Sequence, residues 1–225
     1  MRKRKSPLAM FVVSFFSVGV IVGAIFATSL LEPPEELLLS GNEARRKEIT
    51  IVGVEQMTGR GRLGSLWLEM RDGSGKVLFA VPPFENEDTQ KAAMDARAAV
   101  EALVGKRLGR VDFVIGLENL GMASSIAGPS MGASVALLML AAVREEENIG
   151  ESSVRQDIVI SAKIDSTGRL GAVGDLKEKY EAVKADGRFT SFVIAETQPV
   201  NFTPSKDLPL VRIRNLEMLA RLALE

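Results

Sequence analysis

The sequence predicts a mixed α/β domain carried behind a single N-terminal membrane-spanning helix. Residues 8–31 are almost wholly apolar and contain no charge. Past them, short alternating segments of strand character interleave with longer segments of helical spacing. The chain has 225 residues, 46% hydrophobic and 25% charged, which is ordinary for one globular domain once the apolar run is set aside.

In chain order, residues 1–7 are a basic segment with Arg2, Lys3, Arg4 and Lys5. The apolar run that follows is two dozen residues long and would extend roughly 36 Å as a helix, more than the roughly 30 Å bilayer core. Basic residues precede it and Glu32, Glu35 and Glu36 follow, so the positive-inside rule places the N-terminus in the cytoplasm and the remainder outside the cell membrane. A cleaved signal peptide is the alternative, with the small residues at 24–27 as its cleavage pattern. Residues 32–47, with Pro33, Pro34 and dense charge, read as a tether, and the domain is expected over 48–225.

Within the domain, residues 49–57, 64–70 and 76–81 alternate as strands and suggest a meander. An alanine-rich helix is expected over 88–104, a strand over 111–117 and a second, apolar helix over about 131–147. A buried strand over 158–164, a helix from about Asp175, a strand over 191–195 and a closing helix over 215–224 complete the pattern.

Composition excludes several chemistries. The net charge of −1 and the lack of a basic stripe with interleaved aromatics argue against a nucleic-acid partner. There is no cysteine, which removes disulfides and thiolate nucleophiles, and no histidine, which removes every Ser-His-Asp arrangement and the commonest metal ligand. A nucleophilic hydroxyl in this chain must use another base, and lysine is the main substitute. Gly59, Gly61 and Gly64 match the G-x-G-x-x-G dinucleotide fingerprint, but a strand-like run follows where a helix is needed, so a hairpin turn is the better reading. No phosphate-binding P-loop pattern occurs, so the chain carries no ATPase of that kind.

Two segments carry candidate chemistry. Gly128-Pro129-Ser130-Met131-Gly132 fits G-x-S-x-G at the head of the apolar helix, where N-H groups and the helix dipole can hold an oxyanion. Serine is also a favoured helix cap, and capping alone would explain it. Residues 168–179 (GRLGAVGDLKEK) form a glycine-rich turn before a helix whose first turn holds Lys177 and Lys179. Such lysines are normally solvated, yet cations are unfavourable at a helix N-terminus. A lysine base has to be neutral, which requires burial against apolar surface.

In this order, the two segments resemble the proteolytic domain of the Lon family, serine peptidases with a Ser-Lys dyad. The resemblance rests on residues 127–132 (AGPSMG) and 168–179, with residues 154–158 (VRQDI) similar to the family's approach to its central strand. It implies a ribosomal protein S5 domain 2-like fold, Ser130 as nucleophile and Lys179 rather than Lys177 as base. It also implies polypeptide substrates, no metal or organic cofactor, and a homo-oligomeric ring, expected as a hexamer. Without an ATPase module the substrates would be unfolded or flexible chains, cleaved independently of ATP. Ser161 matches a family threonine that hydrogen-bonds the lysine. Departures are Met131 for the usual alanine, Ala127 for an acidic residue, Asp175 for the second glycine of a pair, a longer connection around residues 145–153, and Lys163 where glutamate is common. Lys163 either points inward and lowers the Lys179 pKa as a neighbouring cation, or points outward and is solvated. The alternative to an enzyme is a non-catalytic anchored scaffold on the same fold.

Overall fold

Alternation along the first two strands decides which way the N-terminal sheet faces. In the computed structural model, which describes residues 35–39, 45–55, 57–80, 87–119 and 129–225, β1 (Arg45–Val54) pairs antiparallel with β2 (Gly61–Asp72). Leu66, Leu68 and Met70 are buried on one face of β2, while Ser65, Trp67 and Glu69 alternate with them on the other. Ile49 faces Leu66 and Ile51 faces Gly64, so both strands present one apolar face. The glycine-rich run is a hairpin turn, with Gly59 at φ 66°. Gly61 has no room for a side chain: a Cβ there would lie 2.3 Å from the Glu178 carbonyl.

The expected meander does not form. β3 (Val77–Phe79) runs parallel to β4 (Val111–Glu118), and β4 runs antiparallel to β2, giving the order β1-β2-β4-β3. The turn at residues 73–76 causes this. The Asp112 carboxylate accepts the Ser74 and Lys76 N-H groups, both at 2.8 Å, and Gly73 N-H donates to Arg110, so the chain folds over the start of β4 before extending beside it.

Helix α1 (Glu87–Val104) packs on α2 (Gly132–Glu147), which follows a 3-10 turn at Pro129–Met131. Every residue of α2 from Gly132 to Val143 is buried, so this helix forms the centre of the domain. The strand expected over 158–164 is two strands, β5 (Ile158–Ser161) and β6 (Lys163–Ile164), the latter paired with β7 (Leu170–Gly171). The break falls at Ala162, whose N-H donates to Ser130 and whose carbonyl accepts from Ala133. Backbone groups committed to the head of α2 cannot also extend a ladder. After α3 (Leu176–Asp186), β8 (Ser191–Ala195) and β9 (Leu210–Ile213) add parallel to β5, and α4 (Leu216–Ala223) closes the chain with Asn215 capping Met218 N-H.

The β5-β8-β9 sheet is covered on both faces. Ile158, Ile160, Val193 and Ala195 join the core built on α2 and α4, while Val159, Phe192 and Ile194 join a second cluster with Leu176, Tyr180 and Val183 of α3. Several sheets with helices between them make this a mixed α/β fold.

The packed unit reaches further toward the N-terminus than the boundary expected at residue 48. Glu36–Glu225 form one compact unit, and Leu37, from the stretch assigned to the tether, is fully buried in the main core. Its N-H donates to the Arg107 carbonyl at 2.8 Å, and Glu36 bridges to Arg107. Among the described residues no helix is long and apolar enough to cross a membrane. The expected basic segment 1–7 and membrane helix 8–31 lie outside the described residues, as does Gly128.

Candidate active site

Ser130 occupies the middle of the 3-10 turn Pro129–Met131, where the chain swings into α2. The capping explanation for this serine does not apply. The residue at the cap position is Met131, at φ −93° and ψ 0°, and no side chain caps the helix. Backbone bonds hold the helix head instead: Ala162 N-H donates to the Ser130 carbonyl at 3.1 Å, and Ala133 N-H donates to the Ala162 carbonyl at 3.2 Å. The Ser130 side chain is half-buried, and its hydroxyl has no hydrogen-bond partner among the described residues. Met131 is buried in the main core, so this departure from alanine fills the interior.

Lys179 lies on the packed face of α3. Leu176, Lys179, Tyr180 and Val183 recur at helical spacing and are all buried, whereas Lys177 points to solvent. Lys179 is 5% exposed and, among the described residues, makes no side-chain hydrogen bond or ion pair. Burial, the largest influence, pushes its ammonium pKa below the usual lysine range, and the nearby Asp175 carboxylate opposes that shift.

Ser161 lies at the end of β5, one residue from the backbone bonded to the head of α2. It is 1% exposed, and its hydroxyl is buried without a partner. Side chains alternate along a strand, so Ser161 shares the face of Val159, which packs with Leu176 and Tyr180 on the helix that bears Lys179. The next residue, Ala162, is the one bonded to Ser130. The end of β5 is therefore tied to the head of α2, while Val159 on the same strand belongs to the apolar cluster that includes residues of α3. Ser130, Ser161 and Lys179 are not hydrogen-bonded to one another.

Lys163 resolves as the outward alternative. Its side chain is exposed on β6, and desolvation, not a second cation, lowers Lys179. Among the described residues no group of three or more His, Cys, Asp or Glu side chains could hold a metal ion.

Asp175 takes on a meaning that its sequence position only hinted at. It adopts φ 53°, the left-handed region that favours glycine, and its side chain makes no cap bond. Asp175→Gly relieves this conformation and removes the carboxylate that raises the Lys179 pKa. The variant should gain about 1 kcal/mol in chemical denaturation. If Lys179 is the base, the acidic limb of its pH-rate profile should also move to lower pH. A limb that moves upward or stays in place contradicts this role for Asp175.

Sequence reasoning missed one further residue. Gln198, 4% exposed in the turn after β8, bonds the loop that leads into α3. Neither a motif nor a periodicity marks it. No protein-family model and no curated protein sequence matches this chain.

Proposed function

We propose that this chain is a membrane-anchored serine peptidase of the Lon-like type, with a ribosomal protein S5 domain 2-like fold, that cleaves unfolded or flexible polypeptides without ATP. The observation that carries the reading is the buried Lys179, which has no side-chain partner among the described residues, together with the orphaned Ser161 hydroxyl one residue from the Ala162 backbone that bonds a serine capping nothing. A buried cation without a counter-ion is disfavoured in a purely structural role. A depressed pKa is what a lysine base needs.

In this mechanism neutral Lys179 accepts the Ser130 hydroxyl proton as Oγ attacks the substrate carbonyl. The tetrahedral oxyanion is held by backbone N-H groups beside Ser130 at the head of α2. Lys179 returns the proton to the leaving amine, and an acyl-enzyme ester remains on Ser130. Water, deprotonated by Lys179, then releases the product acid and restores the hydroxyl. Ser161, whose hydroxyl is unpaired among the described residues, takes up a hydrogen bond that orients the lysine when the site closes on substrate. The contact between Ser130 and Lys179 closes when substrate binds, since catalytic hydrogen bonds are often long in an empty site. Residues 8–31 anchor the chain, the peptidase domain lies outside the cell membrane, and the subunits assemble as a ring, expected as a hexamer.

The test uses the full chain in detergent or lipid discs, incubated with a permanently unfolded protein across pH 6 to 10, beside Ser130→Ala and Lys179→Ala. Cleavage by the parent chain, lost in both variants, is expected. Absence of dyad-dependent cleavage at every pH would overturn the peptidase reading in favour of a scaffold.

A further inference from the structure

The loop between β7 and α3 decides where Lys179 is delivered, yet it has few attachments of its own. Between Gly171 and the first residue of α3, the bonds from Val173 to the Gln198 side chain are, among the described residues, the polar contacts that tie its backbone to the rest of the domain. Val173 N-H donates to Gln198 Oε1 at 2.7 Å, and Gln198 Nε2 donates to the Val173 carbonyl at 3.1 Å. A carboxamide presents the same donor and acceptor as a peptide group, so Gln198 pairs with Val173 as a strand residue would, where no strand exists. Its second amide hydrogen reaches the Pro199 carbonyl at 3.2 Å, so only one orientation of the amide satisfies all three partners.

The bracket is itself anchored. Gln198 N-H donates to the Ala195 carbonyl at 3.0 Å, and Arg212 of β9 donates to the Gln198 and Glu196 carbonyls, both at 2.8 Å. Downstream of Val173, Gly174 has no neighbour that a side chain would meet, and Asp175 stands in its left-handed conformation. The chain from Val173 to Leu176 is therefore held at one end by Gln198 and at the other by the packing of α3.

We infer that Gln198 is a positioning residue for the base: its bidentate bond to Val173 sets the loop that orients α3 and keeps water from Lys179. This inference rests on the reading of Lys179 as the base for Ser130. Asp175 is the charged group whose field reaches Lys179, while Lys177 and Glu178 on the same turn face solvent and the helix packs against β1 and β2. A loosened loop admits water to Lys179, which relieves its desolvation and carries the ammonium toward the ordinary lysine range. It also lets the amine drift from Ser130, which lowers turnover more than substrate binding.

Gln198→Met keeps the length and apolar contacts but removes all three side-chain bonds. Gln198→Asn keeps the amide one methylene short of its partners, and is used if the first variant loses its cooperative thermal unfolding. Two readouts on the full chain keep the inference separable from the peptidase reading. One is the pH midpoint for acylation of Lys179 by a small amine-reactive ester, followed by mass spectrometry, which needs no catalysis. The other is kcat and KM for cleavage of an unfolded protein. The expected result in a folded variant is a Lys179 midpoint raised by about half a pH unit or more. A kcat about tenfold lower with KM within about twofold should accompany it. A folded variant with the parental midpoint and kcat overturns the role assigned to Gln198. A parent chain that does not cleave, combined with a raised midpoint in the variant, overturns the peptidase reading and leaves the positioning of Lys179 by Gln198 supported.

Discussion

Lys179→Met should abolish Ser130-dependent cleavage and, at the same time, make the folded chain more stable. The two effects share one cause. Lys179 is buried on the packed face of α3 and, among the described residues, has neither an ion-pair nor a hydrogen-bond partner. Methionine has nearly the same length and flexibility and leaves no orphaned polar group. Loss of the general base is expected to lower kcat/KM by about a thousandfold. Relief of the unsatisfied buried amine should raise unfolding free energy by about 1–3 kcal/mol at neutral pH. The pH dependence gives an independent check. Because burial lowers the folded-state pKa below the ordinary value of 10.5, the unfolded chain binds more protons between those two values. Stability of the parent chain therefore climbs as pH rises through that window, and Lys179→Met should lose the climb. Chemical denaturation of both chains at pH 7 and pH 10 measures this. A variant less stable than the parent would show that Lys179 is held by a structural contact and would weaken its assignment as a base.

Leu37→Asp is expected to destabilise the domain severely, although the residue lies in a stretch that its Pro and charge content marks as a linker. Leu37 is fully buried in the core formed with α2, and its N-H is spent on Arg107. Leu37→Ala should cost about 2–5 kcal/mol through lost burial and the cavity left behind, and the aspartate adds an unpaired buried charge. Thermal or chemical unfolding of the full chain reads this directly. The neighbouring Leu38→Asp serves as the control: Leu38 is 59% exposed and should change stability by less than about 0.5 kcal/mol. Equal effects at the two positions would mean that the segment does not dock as a β-bridge beside Arg107. The same burial shows that a chain shortened to begin at residue 40 lacks part of its core.

Much of the domain was legible from local patterns. The helices at Glu87–Val104, Gly132–Glu147 and Leu216–Ala223 and the strand at Ser191–Ala195 lie within a residue or two of their expected bounds. Each buries one face or is buried on all sides, so its own residues carry the period that reveals it. β7 and β9 went unseen because two to four residues are too few to display a period. The parallel placement of β3 depends on Asp112, which lies more than thirty residues from the turn that it organises. The break at Ala162 depends on the backbone of Ser130 in the same way.

For the candidate site, the sequence by itself determined the chemical inventory: no histidine, no cysteine, one serine at the head of an apolar helix and a pair of lysines at the start of another. Those facts narrow the available base to lysine, because residue types dictate which protons can move. Tertiary structure alone decided that Lys179 is buried and Lys177 is not, that Ser130 caps nothing, that Lys163 faces solvent, and that Gln198 brackets the loop before α3. A pKa and a hydrogen bond depend on what surrounds a group in space. Those surroundings are supplied by strands and helices distant in the chain, which no local pattern encodes.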